Sequence, residues 1–476
     1  MKSGILKALL AAAAVACSPA GGRLAAFEIK PIILPIGREV TVTIRAVNDA
    51  EKKILAETPL YALSDNGTWS DGKRHGKSGW RPEWEKIALE RRGDAATFRI
   101  TLPGPGEGWH TFRFGEPDQK WNFDPKKTSE FMLYRLKPDL FALRPWKGDI
   151  HQHSVRCGHA KLEPPLVPAH CRRVGFDFMA LSEHRLQSAS VEMIAAAKPW
   201  NSGLELFTGE EFHTPSAMLH SVAVGHRTGI NEWRDKNLKE FNRRVAEEMQ
   251  KPIYRDSGLN ATELHEAAMS MVMYQLGREF GARLLVYSHP TDYDRTNNRE
   301  NPTEAFRNFM FAHADYDALE LPNVSTAAFR VSTRAADRLM LMNSLVLELY
   351  AKGGKFSLVA ASDCHDQRAE YFGKVYTVIF AKACDVESFA AAVKSRMCVA
   401  LRSPATIQYF CVGPVRLMKY QQFLERAYWP GHDALCRKQG ELLLKRAAGD
   451  LSVQPEIEKL AAEIAAYREA CFAPVK

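Results

Sequence analysis

No run of 18 or more apolar residues occurs in this sequence after its first residues or before its last. No segment therefore reaches the roughly 20 apolar residues a bilayer-spanning helix requires. Charge of one sign is equally scarce. Lysine and arginine number 64 against 56 aspartates and glutamates, a surplus of 64 − 56 = 8 spread over 476 residues. No long basic run concentrates that surplus, which argues against nucleic acid as the main partner. Internal repeats and low-complexity tracts are missing too. With 46% hydrophobic and 25% charged residues, the composition is that of a globular protein rather than a disordered tail, a collagen or a coiled coil. At about 100–200 residues per domain, the length accommodates two to four domains with ample core.

Cysteine is sparse, nine in all, and the first stands in an informative place. Lys2 and Lys7 precede and interrupt the apolar run 5–16, which ends in Ala14-Val15-Ala16. A positive start, a short apolar stretch and small residues at its end describe a secretory signal over residues 1–17. Cys17 follows at once, so the segment also has the outline of a lipobox, with Ala14 where leucine is usual. The expectation is an exported protein, periplasmic or anchored as a lipoprotein, that touches a membrane only through a lipid on Cys17. Eight cysteines remain in a disulfide-permissive compartment. Residues 432–448 and 454–471 read as two helices joined near Gly449-Asp450, with Cys436 and Cys471 toward opposite ends of the hairpin. A disulfide between them and a pair of buried free thiols are both open.

Three regions follow the signal. Residues 28–144 read as a small β-sandwich: Val40-Thr41-Val42-Thr43-Ile44 and Thr97-Phe98-Arg99-Ile100-Thr101-Leu102 alternate, and turn clusters such as Asp65-Asn66-Gly67 and 103–108 separate them. Its tryptophans, Trp69, Trp80, Trp84 and Trp109, suit core packing or domain docking better than glycan or peptide binding. From Pro145-Trp146-Lys147-Gly148 onward, residues 146–415 alternate apolar runs (176–181, 204–208, 221–225, 284–288, 318–321, 356–361) with helical stretches, of which 261–280 is the clearest. That texture predicts an α/β domain with a largely parallel sheet or barrel. Residues 416–476 read as a charged helical tail with apolar positions at Leu460, Ile464 and Tyr467.

Histidine is concentrated in the middle region. Twelve of 15 lie between His151 and His365, where even scatter would put about seven. In Asp149-Ile150-His151-Gln152-His153, residues two apart on a strand face the same way, so His151 and His153 can reach one ion together. Other apolar runs also end in potential ligands: Glu183-His184 after 178–182, Gly209-Glu210-Glu211 after 204–208, His289 after 284–288, and Asp363-Cys364-His365 after 356–362. The carboxyl ends of parallel strands converge on one mouth of an α/β barrel. His220 precedes its run and does not follow this rule.

These segments resemble the motifs of the PHP superfamily, the polymerase and histidinol phosphatase metallohydrolases. Gly148-Asp149-Ile150-His151-Gln152-His153-Ser154 is similar to its first motif, and Ser182-Glu183-His184 stands where Thr-Asp-His is usual. Gly209-Glu210-Glu211 matches Gly-x-Glu, a register that favours Glu211 over Glu210, and His220 matches the histidine that follows. Tyr287-Ser288-His289-Pro290 and Ser362-Asp363-Cys364-His365 resemble the remaining motifs, in family order over about 270 residues. Many relatives carry Ser-Asp-Gly after the first motif; this chain has Cys157-Gly158-His159, with His159 at the position of an added ligand in trinuclear members. The resemblance implies a distorted PHP-type β/α barrel holding two to three divalent ions. His151, His153, Glu211 and Asp363 would hold one, Glu211 would bridge to a second completed by His220 and His289, and His159, His184 and His365 would hold a third. Cys157 and Cys364 do not match ligand positions. Imidazole with carboxylate suits Zn, Mn or Fe.

Two such ions can share a water and supply hydroxide at neutral pH, so metal-assisted hydrolysis is the expected reaction class. Arg185 and Arg368 are candidate clamps for an anionic small-molecule substrate, and Glu183 is a candidate proton shuttle or, preferably, a partner that orients a ligand histidine. A phosphoesterase is the leading expectation. A carbamate or carboxylic ester hydrolase on the same metals, and a non-enzymatic surface lipoprotein binding glycan or peptide through its β-domain, are the alternatives.

Overall fold

The computed structural model describes residues 27–63, 84–102, 106–115, 129–216, 218–290, 293–294, 299–300, 303–321, 346, 356–369, 372–402 and 410–474. The signal and lipobox of residues 1–17, the turns at 65–67 and 103–105, and Trp69 and Trp80 lie outside them. The chain divides into two units, residues 1–141 with 426–428 and 468–476, and residues 142–425 with 429–467. Among the described residues no helix is long and apolar enough to cross a membrane.

The first unit holds strands β1 (Glu28–Lys30), β2 (Ile33–Pro35), β3 (Val40–Arg45), β4 (Leu60–Leu63), β5 (Trp84–Ile87), β6 (Glu90–Arg92), β7 (Ala95–Ile100), β8 (Gly108–Phe114) and β9 (Ser129–Leu136). They form two sheets, ordered β1-β3-β7-β6 and β2-β9-β8-β4-β5. Alternation along β3 buries Val40, Val42 and Ile44 while Thr41 and Arg45 face solvent. Phe98 of one sheet meets Phe112 and Phe131 of the other at ring separations of 5.6 and 6.5 Å. This is the sandwich expected from the sequence. Arg113 lies over the Trp84 ring and Arg426 over Trp109, so these two tryptophans carry cations on their faces.

The second unit adds β10 (Arg144–Asp149), β11 (Phe178–Leu181), β12 (Glu205–His213), β13 (His220–Val224), β14 (Leu284–Tyr287), β15 (Tyr293–Asp294), β16 (Arg299–Glu300), β17 (Ala318–Leu321), β18 (Ser357–Ala360), β19 (Val375–Ala381), β20 (Cys398–Arg402) and β21 (Phe410–Val412). Ten of them make one sheet ordered β18-β17-β14-β13-β12-β11-β10-β19-β20-β21, and β15 pairs with β16 alone. Six strands, β10, β11, β12, β14, β17 and β18, run in one direction, with β13 inserted against them. The sheet curls until its ends meet. Thr377 of β19 accepts from the Ala360 N–H at 2.9 Å and donates to the Ala360 carbonyl at 2.8 Å. Beyond β10 the His153 N–H donates to the Cys364 carbonyl at 3.0 Å. The result is a nearly closed mixed α/β barrel.

Several of these strands, such as Phe178–Leu181 and Leu284–Tyr287, are apolar along their whole length because both faces are covered. Along β14, Leu284 and Val286 join a cluster with Ile150, Phe178, Phe207 and Phe389, whereas Leu285 and Tyr287 join one with Val272, Tyr274 and Leu276. Those last three come from the helix Ala261–Glu279, opened by a capping box between Asn260 and Glu263.

The C-terminal region differs from the expected tail. Its helices Trp429–Ala447 and Gln454–Ala470 are as long as expected, but residues 429–467 belong to the barrel unit. Leu443 and Ile457 pack with Ala169 and Trp200. Gly440 is the point of closest approach: a Cβ there would lie 2.5 Å from the backbone of Arg173. The eight described cysteines are free thiols. Cys436 sits 3.7 Å from His432 and Cys471 accepts from Lys30 Nζ at 3.0 Å, so the pairing of Cys436 with Cys471 is not made.

Candidate metal centre

Strand direction explains how distant residues reach one mouth. His151 and His153 follow β10, with Ile150 between them turned into the core. Glu183 and His184 follow β11, and His184 pairs in parallel with Glu211 on the neighbouring strand. Gly209 makes that approach possible, since a Cβ there would meet the Leu181 carbonyl oxygen at 2.7 Å. Alternation within β12 separates its two acids. Glu210 turns away and accepts from the N–H groups of Ile230 and Asn231 at 2.6 and 2.8 Å, at the start of the helix Ile230–Lys236, where anions are favoured. Glu211 faces the mouth. His220, the exception in the sequence, opens β13, and because β13 is antiparallel its first residue lies at the same end. His289 follows β14, and Asp363 and His365 follow β18.

Glu211 is the hub. Its Oε1 lies 2.6 Å from His220 Nδ1 and 3.4 Å from His289 Nε2. Its Oε2 lies 2.7 Å from His184 Nδ1, 3.2 Å from His151 Nε2 and 3.4 Å from His153 Nε2. Asp363 Oδ1 is 2.9 Å from His153 Nε2 and 3.5 Å from His151 Nε2. His365 stacks on His153 at 4.2 Å and on His159 at 4.6 Å. All nine expected ligands thus converge. His151, His153, Glu211 and Asp363 form one set with donor atoms within 4.8 Å of one another, as do His184, Glu211 and His220, and His153, His184 and His365. The second set contains His184 where the resemblance implied His289.

These residues fit metal ions. His151 Nε2, His153 Nε2, His184 Nδ1 and Glu211 Oε2 are buried, lie close together, and yet make no hydrogen bond. Buried polar atoms are ordinarily bonded; these converge as ligands do around a cation, and mixed imidazole and carboxylate donors suit Zn, Mn or Fe. Backbone strain points to the same place. Of five non-glycine residues with positive φ among the described residues, three are Arg185, His289 and Asp363, and such strain collects at functional sites.

Electrostatics divides the imidazoles into two kinds. Burial opposes charge on His151, but Glu320, Glu211 and Asp363 outweigh it and hold the ring well above the usual histidine range. For His153 burial is likewise outweighed, by Asp363 and Glu183, and its pKa rises to about 9. Burial lowers His184 and, with the His153 charge, takes His365 down to about 4. Burial alone would raise Glu211, but His151, His220 and His184 hold it well below the carboxylate norm. Ligation requires a neutral imidazole, so the downward shifts of His184 and His365 favour it and the upward shifts of His151 and His153 oppose it until an ion displaces their protons.

The other expected site residues behave differently. Glu183 is fully buried, accepts from the N–H and hydroxyl of Ser154, and has Oε2 3.7 Å from His153 Nδ1. What it holds directly is Ser154, the residue after His153. The two clamp arginines have carboxylate partners: Arg185 Nη2 donates to Asp235 at 3.2 Å, and Arg368 grips Asp366 through Nε and Nη2 at 2.8 and 3.0 Å. Three residues with a part in the site had no role in the sequence reading. Glu320, buried in β17, places Oε2 2.7 Å from His151 Nδ1; its signal was a single acid in an apolar run. Asp149 accepts from the N–H groups of His151 at 3.0 Å and Ser362 at 3.2 Å, tying two ligand segments together. His213 stacks on His220 at 4.7 Å, as their direct pairing across β12 and β13 requires.

No family model matches this chain, and no curated protein does. Among solved structures, a two-domain protein of Bacteroides vulgatus containing a predicted PHP-like metal-dependent phosphoesterase is similar at 15% identity, over 59% of this chain and 70% of that one, with a TM-score of 0.39. A lesion-specific endonuclease of Pyrococcus furiosus is similar at 12% identity over 68% and 91%, TM-score 0.33. An amidohydrolase of Chromobacterium violaceum with bound sulfate is similar at 17% identity over 46% and 87%, TM-score 0.26. At these scores the likeness assigns neither activity nor substrate, and the reading of the site rests on the residues themselves.

Proposed function

We propose that this chain is an exported, divalent-metal-dependent hydrolase of the PHP type, with a phosphoesterase acting on a small anionic substrate as the leading reading. The observation that carries it is Glu211, a fully buried carboxylate with five imidazoles within 3.4 Å, beside Asp363 in a shared ligand set. Bound divalent ions supply a water of lowered pKa and polarise the scissile group. The chain's own residues do the rest: Glu211 and Asp363 balance the cations' charge, Glu320 fixes the His151 ring through Nδ1, and Glu183 fixes the segment carrying His153. Export rests on Lys2, Lys7 and the run 5–16.

One observation favours keeping the carbonyl reading beside the phosphate one. Arg185 and Arg368 are paired with Asp235 and Asp366, which leaves neither guanidinium dedicated to a phosphate, and a carbamate or ester needs no such clamp. The test combines metal analysis with turnover of p-nitrophenyl phosphate, a phosphodiester analogue and a naphthyl carbamate, in the wild type and in Asp363→Ala. Two to three ions per chain and a loss of at least about 10²–10³-fold in the variant are expected. Hydrolysis that persists without metal rejects the proposal.

A further inference from the structure

The segment between the first two ligand motifs contains a donor that the family pattern does not supply. Val155–Cys157 form a single 3₁₀ turn capped by Ser154, and Gly158 follows at φ +88°, in the left-handed region. That reversal brings His159 back over the turn, its Nδ1 3.2 Å from the Cys157 carbonyl, which leaves Nε2 as the ligating nitrogen. The Lys161 N–H donates to the His365 carbonyl at 2.9 Å, tying this segment to the one that follows β18. Cys157, His159 and His365 consequently offer three donor atoms within 4.8 Å of one another. His365 Nδ1 lies 3.0 Å from the Asp363 carbonyl, and its buried Nε2 makes no hydrogen bond.

A second observation points to the same place. His153 is fully buried and neither of its ring nitrogens is in a hydrogen bond. Together with Glu183, whose Oε2 also makes no bond, it forms a further donor set with the Cys157 sulfur, again within 4.8 Å. Cys157 is thus flanked on both sides by candidate ligands rather than standing alone at the rim.

Building on the metallohydrolase reading, we infer that Cys157 is a thiolate ligand of the outermost ion, which it holds with His159 and His365. A sulfur donor makes this position unlike the two around Glu211. Thiolate selects zinc and other borderline or soft ions, while manganese prefers oxygen donors. The outermost position is accordingly zinc-selective, and a bound ion shields the sulfur from electrophiles.

The experiment uses the full chain, stripped with a chelator and reloaded with cobalt(II). The wild type should show thiolate-to-cobalt charge-transfer absorption in the near ultraviolet. Cys157→Ser should lose that band and bind the last cobalt equivalent at least about 10-fold more weakly, with the remaining ions bound as before. In the unmutated protein, zinc should slow alkylation of Cys157 by iodoacetamide, followed by peptide mass spectrometry, and chelation should restore it. Cobalt binding without the band, or a band that survives in Cys157→Ser, overturns the thiolate ligand and leaves the hydrolase reading intact. A chain that takes up no cobalt at all overturns both.

Discussion

The barrel buries ionisable side chains at both of its ends, and the two clusters are built differently. At the end opposite the mouth, Asp177 accepts from the Lys147 N–H at 3.1 Å and lies 3.0 Å from His432 Nε2. Lys147 Nζ grips both oxygens of Asp433 at 2.8 and 2.7 Å, and Arg172 donates to Gln439 at 2.6 Å and to the Phe176 carbonyl at 2.9 Å. Every one of these groups is answered by protein. At the mouth, His151 Nε2, His153 Nε2, His184 Nδ1 and Glu211 Oε2 are just as buried and as close, yet make no hydrogen bond, while only the other Glu211 oxygen is met, by His220 at 2.6 Å and His289 at 3.4 Å. Composition does not separate the clusters, since both mix acids with histidine. Satisfaction does. A self-satisfied cluster fastens the fold, while an unsatisfied one held in place by strained backbone is prepared for something the chain does not itself contain.

The closed end is most sensitive at Asp177. Asp177→Ala leaves Arg172 buried without the carboxylate 3.5 Å from its Nη1 and His432 with Asp433 alone, a loss of about 3–5 kcal/mol in the stability of the folded chain, read by urea denaturation. Metal content in the surviving folded fraction should be unchanged. A variant that keeps its stability and loses metal would show that the two ends are one functional system.

A smaller effect, at the mouth, sharpens the contrast. Glu320→Gln keeps the size of the side chain and weakens its hold on His151 Nδ1. Metal affinity should fall by about 10–100-fold, measured by competition with a chelating dye, while unfolding of the metal-free protein shifts little. A large stability loss with unchanged affinity would assign Glu320 to the fold instead.

Much of the mouth was legible because most of the apolar runs ended in a ligand, a pattern that strand direction turns into proximity. Where direction reversed, at His220, the rule failed and only the antiparallel pairing of β13 restored it. Glu320 was hidden for a related reason: it lies inside its run, and whether it faced the mouth or the helices depended on register. The barrel's closing strands, β19 and β20, carry no chemistry and drew no attention as sequence. The docking of the C-terminal helices was the least visible feature, since it depends on Lys147 finding Asp433 across 286 residues. No local pattern encodes such a pairing. His159 shows the opposite case, in which a departure from the family's usual residues marked a ligand, although the turn at Gly158 that sets it beside Cys157 was not read.

The smallest effect concerns pH at the closed end. Burial opposes a charge on His432, but Cys436, Asp177 and Asp433 around the ring outweigh it and hold its pKa well above the ordinary value. Lys147 and Arg172 are the cations nearby, and each is already engaged with a carboxylate or amide. A histidine raised on folding contributes stability that is complete below its unfolded pKa of about 6.5 and is lost as pH climbs through the folded value. The wild type should therefore lose thermal stability above about pH 6.5 more steeply than His432→Gln does. Both proteins should be metal-loaded, so that the mouth histidines are held by their ions and do not add to the slope. Equal slopes would mean that His432 is neutral in the fold, and that the closed end is fastened by hydrogen bonds and the Lys147–Asp433 pair rather than by a buried imidazolium.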